Sequence, residues 1–306
     1  MMHIMRRRAL YYIISLAIIL PGIISLAIPP HLKLAVDFTG GTLWELQFQQ
    51  AVQPAEVKAV MAGKGYPDAV VQTSGDRGVL IRSKEISSEG NTKSDILQAL
   101  QARFGPATEL RFESVGPVIG QEVATRAIAA VFLASIGILL YIAWAFRKVD
   151  HPVRYGLCAI IALLHDALVV LGIFSILGHL FNVEVDSLFV TAVLTVIGFS
   201  VHDTIVVFDR IRENARRLHG LSFEDVVNHS LLQTLGRSLA TSLTVLFTLS
   251  ALTLFGGVTI RLFALTLLIG IISGTYSSIF NASALLVSWE NGDLARLFGR
   301  RRVATA

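Results

Sequence analysis

Six apolar runs restrict this chain to a membrane-spanning fold. They cover residues 9–28, 125–146, 155–177, 188–209, 238–256 and 262–288. Each is near the ~20 residues that a helix needs to cross ~30 Å of hydrocarbon. Charged residues make up 16% of the sequence, against roughly 25% in a soluble domain, so polar material is concentrated between the runs. The net charge of +4 does not point to nucleic acid, because the excess arginines flank apolar runs, where orientation anchors belong. The first run has the basic start of a signal peptide. It is long enough to span, however, and Pro29-Pro30 offers no small-residue cleavage pattern, so a retained first helix is expected. The single cysteine, Cys158, has no intrachain partner for a disulfide and says nothing about redox compartment.

The basic residues orient the runs. Arg6, Arg7 and Arg8 precede the first. Arg147, Lys148 and Arg154 lie between the second and third. Arg210, Arg212, Arg216 and Arg217 follow the fourth, and Arg296, Arg300, Arg301 and Arg302 follow the sixth. If the six spans alternate, all four groups fall on one side, which is the cytoplasmic side. Both termini are then cytoplasmic, with residues 1–29 forming the N-terminus and first span and 291–306 a basic tail. The long connection, 30–122, is extracytoplasmic, since a domain of that length translocates regardless of its charge.

That connection reads as βαββαβ. Alternation over 42–49 predicts a strand, and Pro54–Lys64 a helix opened by proline and closed by glycines. Strands follow at 69–73 and 79–84 around the turn residues Ser74-Gly75-Asp76-Arg77-Gly78. Ile96, Leu97, Leu100 and Phe104 have helical spacing, and 108–115 is a last strand. The expected fold class is therefore an α-helical polytopic membrane protein of six transmembrane helices, with one α+β ferredoxin-like extracytoplasmic domain. The five remaining spans occupy 123–290. Within them a cytoplasmic connector, 210–236, is expected to carry a short amphipathic helix along the inner membrane surface, capped by Ser222.

No group of histidines, cysteines and carboxylates has metal-ligand spacing, and no glycine-rich loop is followed by Lys-Ser/Thr, so no metal and no nucleotide cofactor is expected. Nothing indicates an enzyme active site. The chemistry lies instead in charged residues within the spans, where an ionisable side chain is a functional candidate. Asp166 lies about 20 Å along its helix from Pro152, near the midplane, and Asp203 about 12 Å from Ile211, in the cytoplasmic half. Arg237 opens the fifth span. Burial disfavours the charged form of a carboxylate and a nearby arginine favours it, so an acid between the two can exchange protons. Either acid could equally serve only as an inter-helix hydrogen-bonding group. His165 and His202 each precede an aspartate and point about 100° away from it, so both are expected to pack against other neighbours. Gly270 and Gly274, followed by Ser277, Ser278, Asn281 and Ser283, allow close helix approach.

Four segments carry a family resemblance. Asp37-Phe38-Thr39-Gly40-Gly41 resembles a D-F-x-G-G motif, and Val115-Gly116-Pro117-Val118-Ile119-Gly120 a V-G-P-x-x-G motif. Residues 198–214, including His202, Asp203, Thr204 and Asp209, and residues 228–238, ending in Arg237-Ser238, match the others. In this order and topology they resemble the SecD/SecF family of protein-export membrane proteins, within the resistance–nodulation–division superfamily. The resemblance implies an auxiliary subunit of the bacterial inner membrane that couples proton-motive force to late translocation of unfolded polypeptide. It implies a SecD partner, the SecYEG channel, YajC, and a functional link to SecA. It also assigns the proton relay to Asp203 and Arg237, where depth alone favours Asp166. Asp166, His202, Thr204 and Asp209 remain candidates for a surrounding polar seam. A small-molecule exporter of the same superfamily is the alternative, though a domain of about 90 residues is small for a substrate cleft; a non-transporting assembly subunit is another.

Overall fold

The computed structural model describes residues 3–87, 91–147 and 152–293. Lys148 and the tail arginines Arg296, Arg300, Arg301 and Arg302 lie outside them. The chain divides into two compact units, Leu34–Ala129 and Met1–Lys33 with Ala130–Ala306.

The membrane unit contains α1 (Arg8–Ala27), and the smaller unit opens on a short helix, α2 (Val36–Thr39). There follow β1 (Gly41–Phe48), α3 (Pro54–Gly63), β2 (Val70–Ser74), β3 (Gly78–Ser83), α4 (Thr92–Phe104) and β4 (Ala107–Val115). The sheet order is β2-β3-β1-β4 with every neighbouring pair antiparallel. β1 and β2 therefore run parallel with β3 inserted between them, a split βαβ arrangement. Alternation places Trp44, Leu46 and Phe48 of β1 and Val79 and Ile81 of β3 on one face. There they form a core with Val57 and Met61 of α3 and Ile96 and Leu100 of α4. Trp44 meets Phe112 edge-on at 5.2 Å, and its indole N–H donates to Glu109 at 2.9 Å.

The next helix, α5 (Pro117–Ala145), begins in the smaller unit and ends in the membrane unit, where α6 (Pro152–Phe181), α7 (Ser187–Arg217), α8 (Phe223–Phe255), α9 (Val258–Tyr276) and α10 (Ser283–Glu290) follow. A π-helical turn, Ser277–Ala282, joins the last two into one span. Among the described residues six helices are long and apolar enough to cross a membrane. The inner trio is α6, α7 and the α9–α10 span, each half or more buried along its apolar window; the other three spans are largely exposed.

Several helices outrun their apolar runs. α5 starts at Pro117, where a missing N–H costs a first helical turn nothing. The expected separate connector helix does not exist. Arg210–Arg217 continues α7, and the segment after Ser222 runs straight into the fifth span as α8. Ser222 does cap α8, its hydroxyl accepting from the Asp225 N–H at 3.2 Å. The sequence from there to Phe255 has no proline and one glycine, Gly236, which costs about 1 kcal/mol and does not stop a helix.

Glycine contacts set the closest helix approaches. A Cβ on Gly22 of α1 would lie 2.7 Å from the Gly172 backbone of α6. A Cβ on Gly270 of α9 would overlap the Val196 side chain of α7. Small residues bring backbones together in this way where lipid leaves no hydrophobic drive between helices.

Candidate functional site

Asp166 is 1% exposed and is surrounded by donors from three helices. Its Oδ1 accepts from Ser273 Oγ at 2.7 Å and lies 3.0 Å from His165 Nδ1. Its Oδ2 accepts from Ser200 Oγ at 2.5 Å and Ser277 Oγ at 2.6 Å. The serine spacing explains the convergence. Ser273 and Ser277 are one turn apart on the last span, on the face that Gly270 and Gly274 clear. A Cβ on Gly274 would stand 3.2 Å from Ser200 Cβ and 3.6 Å from Asp166 Oδ2, so glycine is what lets the three helices meet here. The π-helical turn begins at Ser277 and places the next residue, Ser278, on α7. Ser278 donates to the Ser200 carbonyl at 2.9 Å and accepts from Thr204 Oγ1 at 2.8 Å. Such turns recur at functional sites.

Asp203, three residues beyond Ser200, is 3% exposed. Among the described residues its Oδ2 is buried with no partner at hydrogen-bonding distance, the Ser242 hydroxyl of α8 being a neighbour of the carboxylate, and its Oδ1 lies 3.6 Å from His202 Nδ1. A buried carboxylate oxygen left unpaired is costly. The two acids thus lie on adjacent packed helices, one saturated with donors and one not.

The remaining expected residues divide. Thr204 is buried in the seam. His202 is exposed, its side chain 61% accessible. Asp209 does not enter the seam; it is exposed and pairs with Arg212 at 2.6 Å, because six residues beyond Asp203 the helix presents another face. Arg237 is exposed on α8, and among the described residues no ion pair joins it to Asp203. His165 departs from expectation, since its ring folds back along its own helix onto Asp166 instead of meeting another neighbour. Ser200 and Ser273 were not foreseen. Their signal was spacing: Ser200 and Thr204 are four apart, as are Ser273 and Ser277, so each pair shares a helix face.

The glycine motifs meet in the smaller unit. Gly40 has φ +72°, and a Cβ there would lie 2.6 Å from Pro117 Cα. A Cβ on Gly120 would lie 2.7 Å from the Gly40 nitrogen. Gly41, at φ +116°, would meet the Ser83 carbonyl at 2.7 Å, and Gly116 faces the Glu85 carboxylate. Asp37 sits half-buried in the first turn of α2. Next to this contact Thr42 is fully buried. Its hydroxyl bonds Ser114 Oγ at 2.8 Å and accepts from the Ile86 N–H at 2.7 Å. The two motifs are therefore halves of one backbone-to-backbone contact.

A family model for the protein export membrane protein SecD/SecF, C-terminal, matches residues 96–292, and one for the SecD/SecF GG motif matches residues 26–52. The chain belongs to the SecD/SecF family. Within that family, the protein translocase subunit SecF of Thermobaculum terrenum is 58% identical over 310 residues, covering 98% of both chains. The SecF subunit of Pseudomonas aeruginosa is 40% identical over 262 residues, covering 85% of this chain and 82% of its own. The crystal structure of SecDF from Thermus thermophilus superposes with a TM-score of 0.79 at 35% identity, over 93% of this chain and 38% of that one. This SecD/SecF chain is a multi-pass inner-membrane protein and an auxiliary subunit of Sec protein export. The GG-motif match falls on the Gly40–Gly41 half of the glycine contact.

Proposed function

We propose that this subunit couples proton-motive force to late polypeptide translocation, and that Asp203 is the group that takes up and releases the proton. The unpartnered, buried Oδ2 of Asp203 carries this reading. A carboxylate already satisfied by four donors has little to gain from a proton, whereas an unpaired buried oxygen is relieved by one. Protonation alters the attraction of Asp203 for Arg237 and for the seam through Ser200 and Thr204, and α7 shifts against α8. The potential supplies about 2.3 kcal/mol per charge per 100 mV, enough to bias a two-state bundle by well over tenfold.

The Thermus thermophilus relative is named SecDF and described as translocon-associated. On that footing the subunit pairs with a SecD partner and associates with the Sec translocon. We extend this to the SecYEG channel, YajC, a functional link with SecA, and unfolded exported polypeptide as substrate. Both termini are then cytoplasmic, the side set by the arginines flanking the spans, and the domain of residues 30–122 is extracytoplasmic.

The experiment is Asp203→Asn, assayed for completion of translocation in inverted vesicles with and without a proton gradient. Loss of gradient-stimulated completion is expected, with SecD still copurifying. Unchanged stimulation would remove Asp203 from the relay. Lost copurification would instead make it a packing residue.

A further inference from the structure

The three arginines before the first span are not equivalent. Met5–Arg7 forms a single 3₁₀ turn that buries Ile4 and Met5. The turn directs Arg8 inward, where its guanidinium holds Glu224 of α8 and Asp293, each at 2.8 Å. The Ile4 N–H donates to Asn228 at 2.7 Å, so the turn is fixed to α8. Arg6 and Arg7 are left exposed, and among the described residues neither guanidinium has an ion pair or hydrogen bond.

Among the described residues Arg6 and Arg7, with His3, Ile4 and Tyr11, line a cavity of about 540 Å³. The Tyr11 hydroxyl is tied to the Ile4 carbonyl at 3.1 Å, which holds its ring as a wall. Beyond the 3₁₀ turn α1 becomes apolar, and Leu10, Ile13 and Ile14, three and four residues apart, share one face of it. Leu10, Ile13 and Ile14 are exposed. Cations without a partner among the described residues thus precede an exposed apolar stripe at the end of a membrane span.

We infer that this cavity binds the phosphate headgroup of an anionic phospholipid, whose acyl chains lie along Leu10, Ile13 and Ile14. Two guanidiniums offer the planar, paired donors that suit a phosphodiester, and basic pockets beside membrane helices hold anionic heads. A free phosphate would satisfy the arginines but leave the apolar stripe unused. The site owes nothing to Asp203 and stands or falls separately from the relay.

The test is native mass spectrometry of the full chain released from nanodiscs that mix phosphatidylcholine with phosphatidylglycerol. The chain is expected to retain phosphatidylglycerol preferentially. The double variant Arg6→Gln/Arg7→Gln is expected to lower that preference about tenfold or more, while Arg217→Gln, at the end of α7, leaves it intact. An unchanged preference in the double variant, or an equal loss in Arg217→Gln, would overturn the site. So would displacement of the lipid by millimolar inorganic phosphate, which would mark a phosphate site instead. If the double variant does not fold, a photoactivatable phosphatidylglycerol on the unaltered chain decides the matter: labelling within residues 3–14 supports the site, and labelling confined elsewhere refutes it.

Discussion

Asp166 is 1% exposed and Asp203 3%, so burial does not separate the two acids, although their surroundings do. Asp166 takes three serine hydroxyls and one imidazole from α6, α7 and the last span. Among the described residues Asp203 has one oxygen with no partner at hydrogen-bonding distance and the other 3.6 Å from an exposed histidine. A carboxylate that joins three helices serves the bundle's stability, and changing its charge would disturb every contact at once. A carboxylate with an unsatisfied oxygen can change protonation with less disruption. Depth favoured Asp166 as the functional acid; hydrogen-bond satisfaction favours Asp203.

The comparison can be broken at either acid. The largest effect is expected from Asp203→Asn, which abolishes gradient-stimulated export while shifting the stability of the purified protein by under about 1 kcal/mol, read from unfolding in nanodiscs. If stability fell and stimulation survived, the two roles would be reversed. Asp166→Leu is expected to cost about 2–3 kcal/mol, from four hydrogen bonds at roughly 0.6 kcal/mol each. Molecules that still fold should keep their gradient response. Gly270→Ala sharpens the picture without touching a charge. Its methyl group meets Val196, and overpacking of that kind costs about 1–3 kcal/mol, visible as a lowered unfolding midpoint. Ser277→Ala is the smallest change, about 0.6 kcal/mol. A double-mutant cycle with Asp166→Leu should erase it, whereas a cycle with Asp203→Asn should leave it additive. Coupling to Asp203 instead would mean that the two acids share one network.

The glycine contact of the smaller unit shows how such features hide in a sequence. Gly40 and Gly120 are eighty residues apart, and each motif alone is a short segment with two glycines. Both positions require glycine because a backbone, not a side chain, occupies the space where a Cβ would stand. Hydropathy and periodicity do not register that requirement, since neither describes contacts distant in sequence.

Local patterns determined much of this protein by themselves. Six apolar runs dictated six spans, because lipid requires each helix to satisfy its own backbone. Alternation and turn residues placed four strands and two helices within a residue or two of their observed bounds, because those elements follow local side-chain spacing. The sequence also marked Asp166 and Asp203 as the acids to watch. Tertiary structure decided the rest. It made the connector a continuation of α7 and α8, put His165 on Asp166, turned Asp209 outward, and converted small serines of the last span into ligands of one carboxylate. Those outcomes depend on which helix faces which, and the difference between a saturated acid and an unsatisfied one exists only once three helices have met.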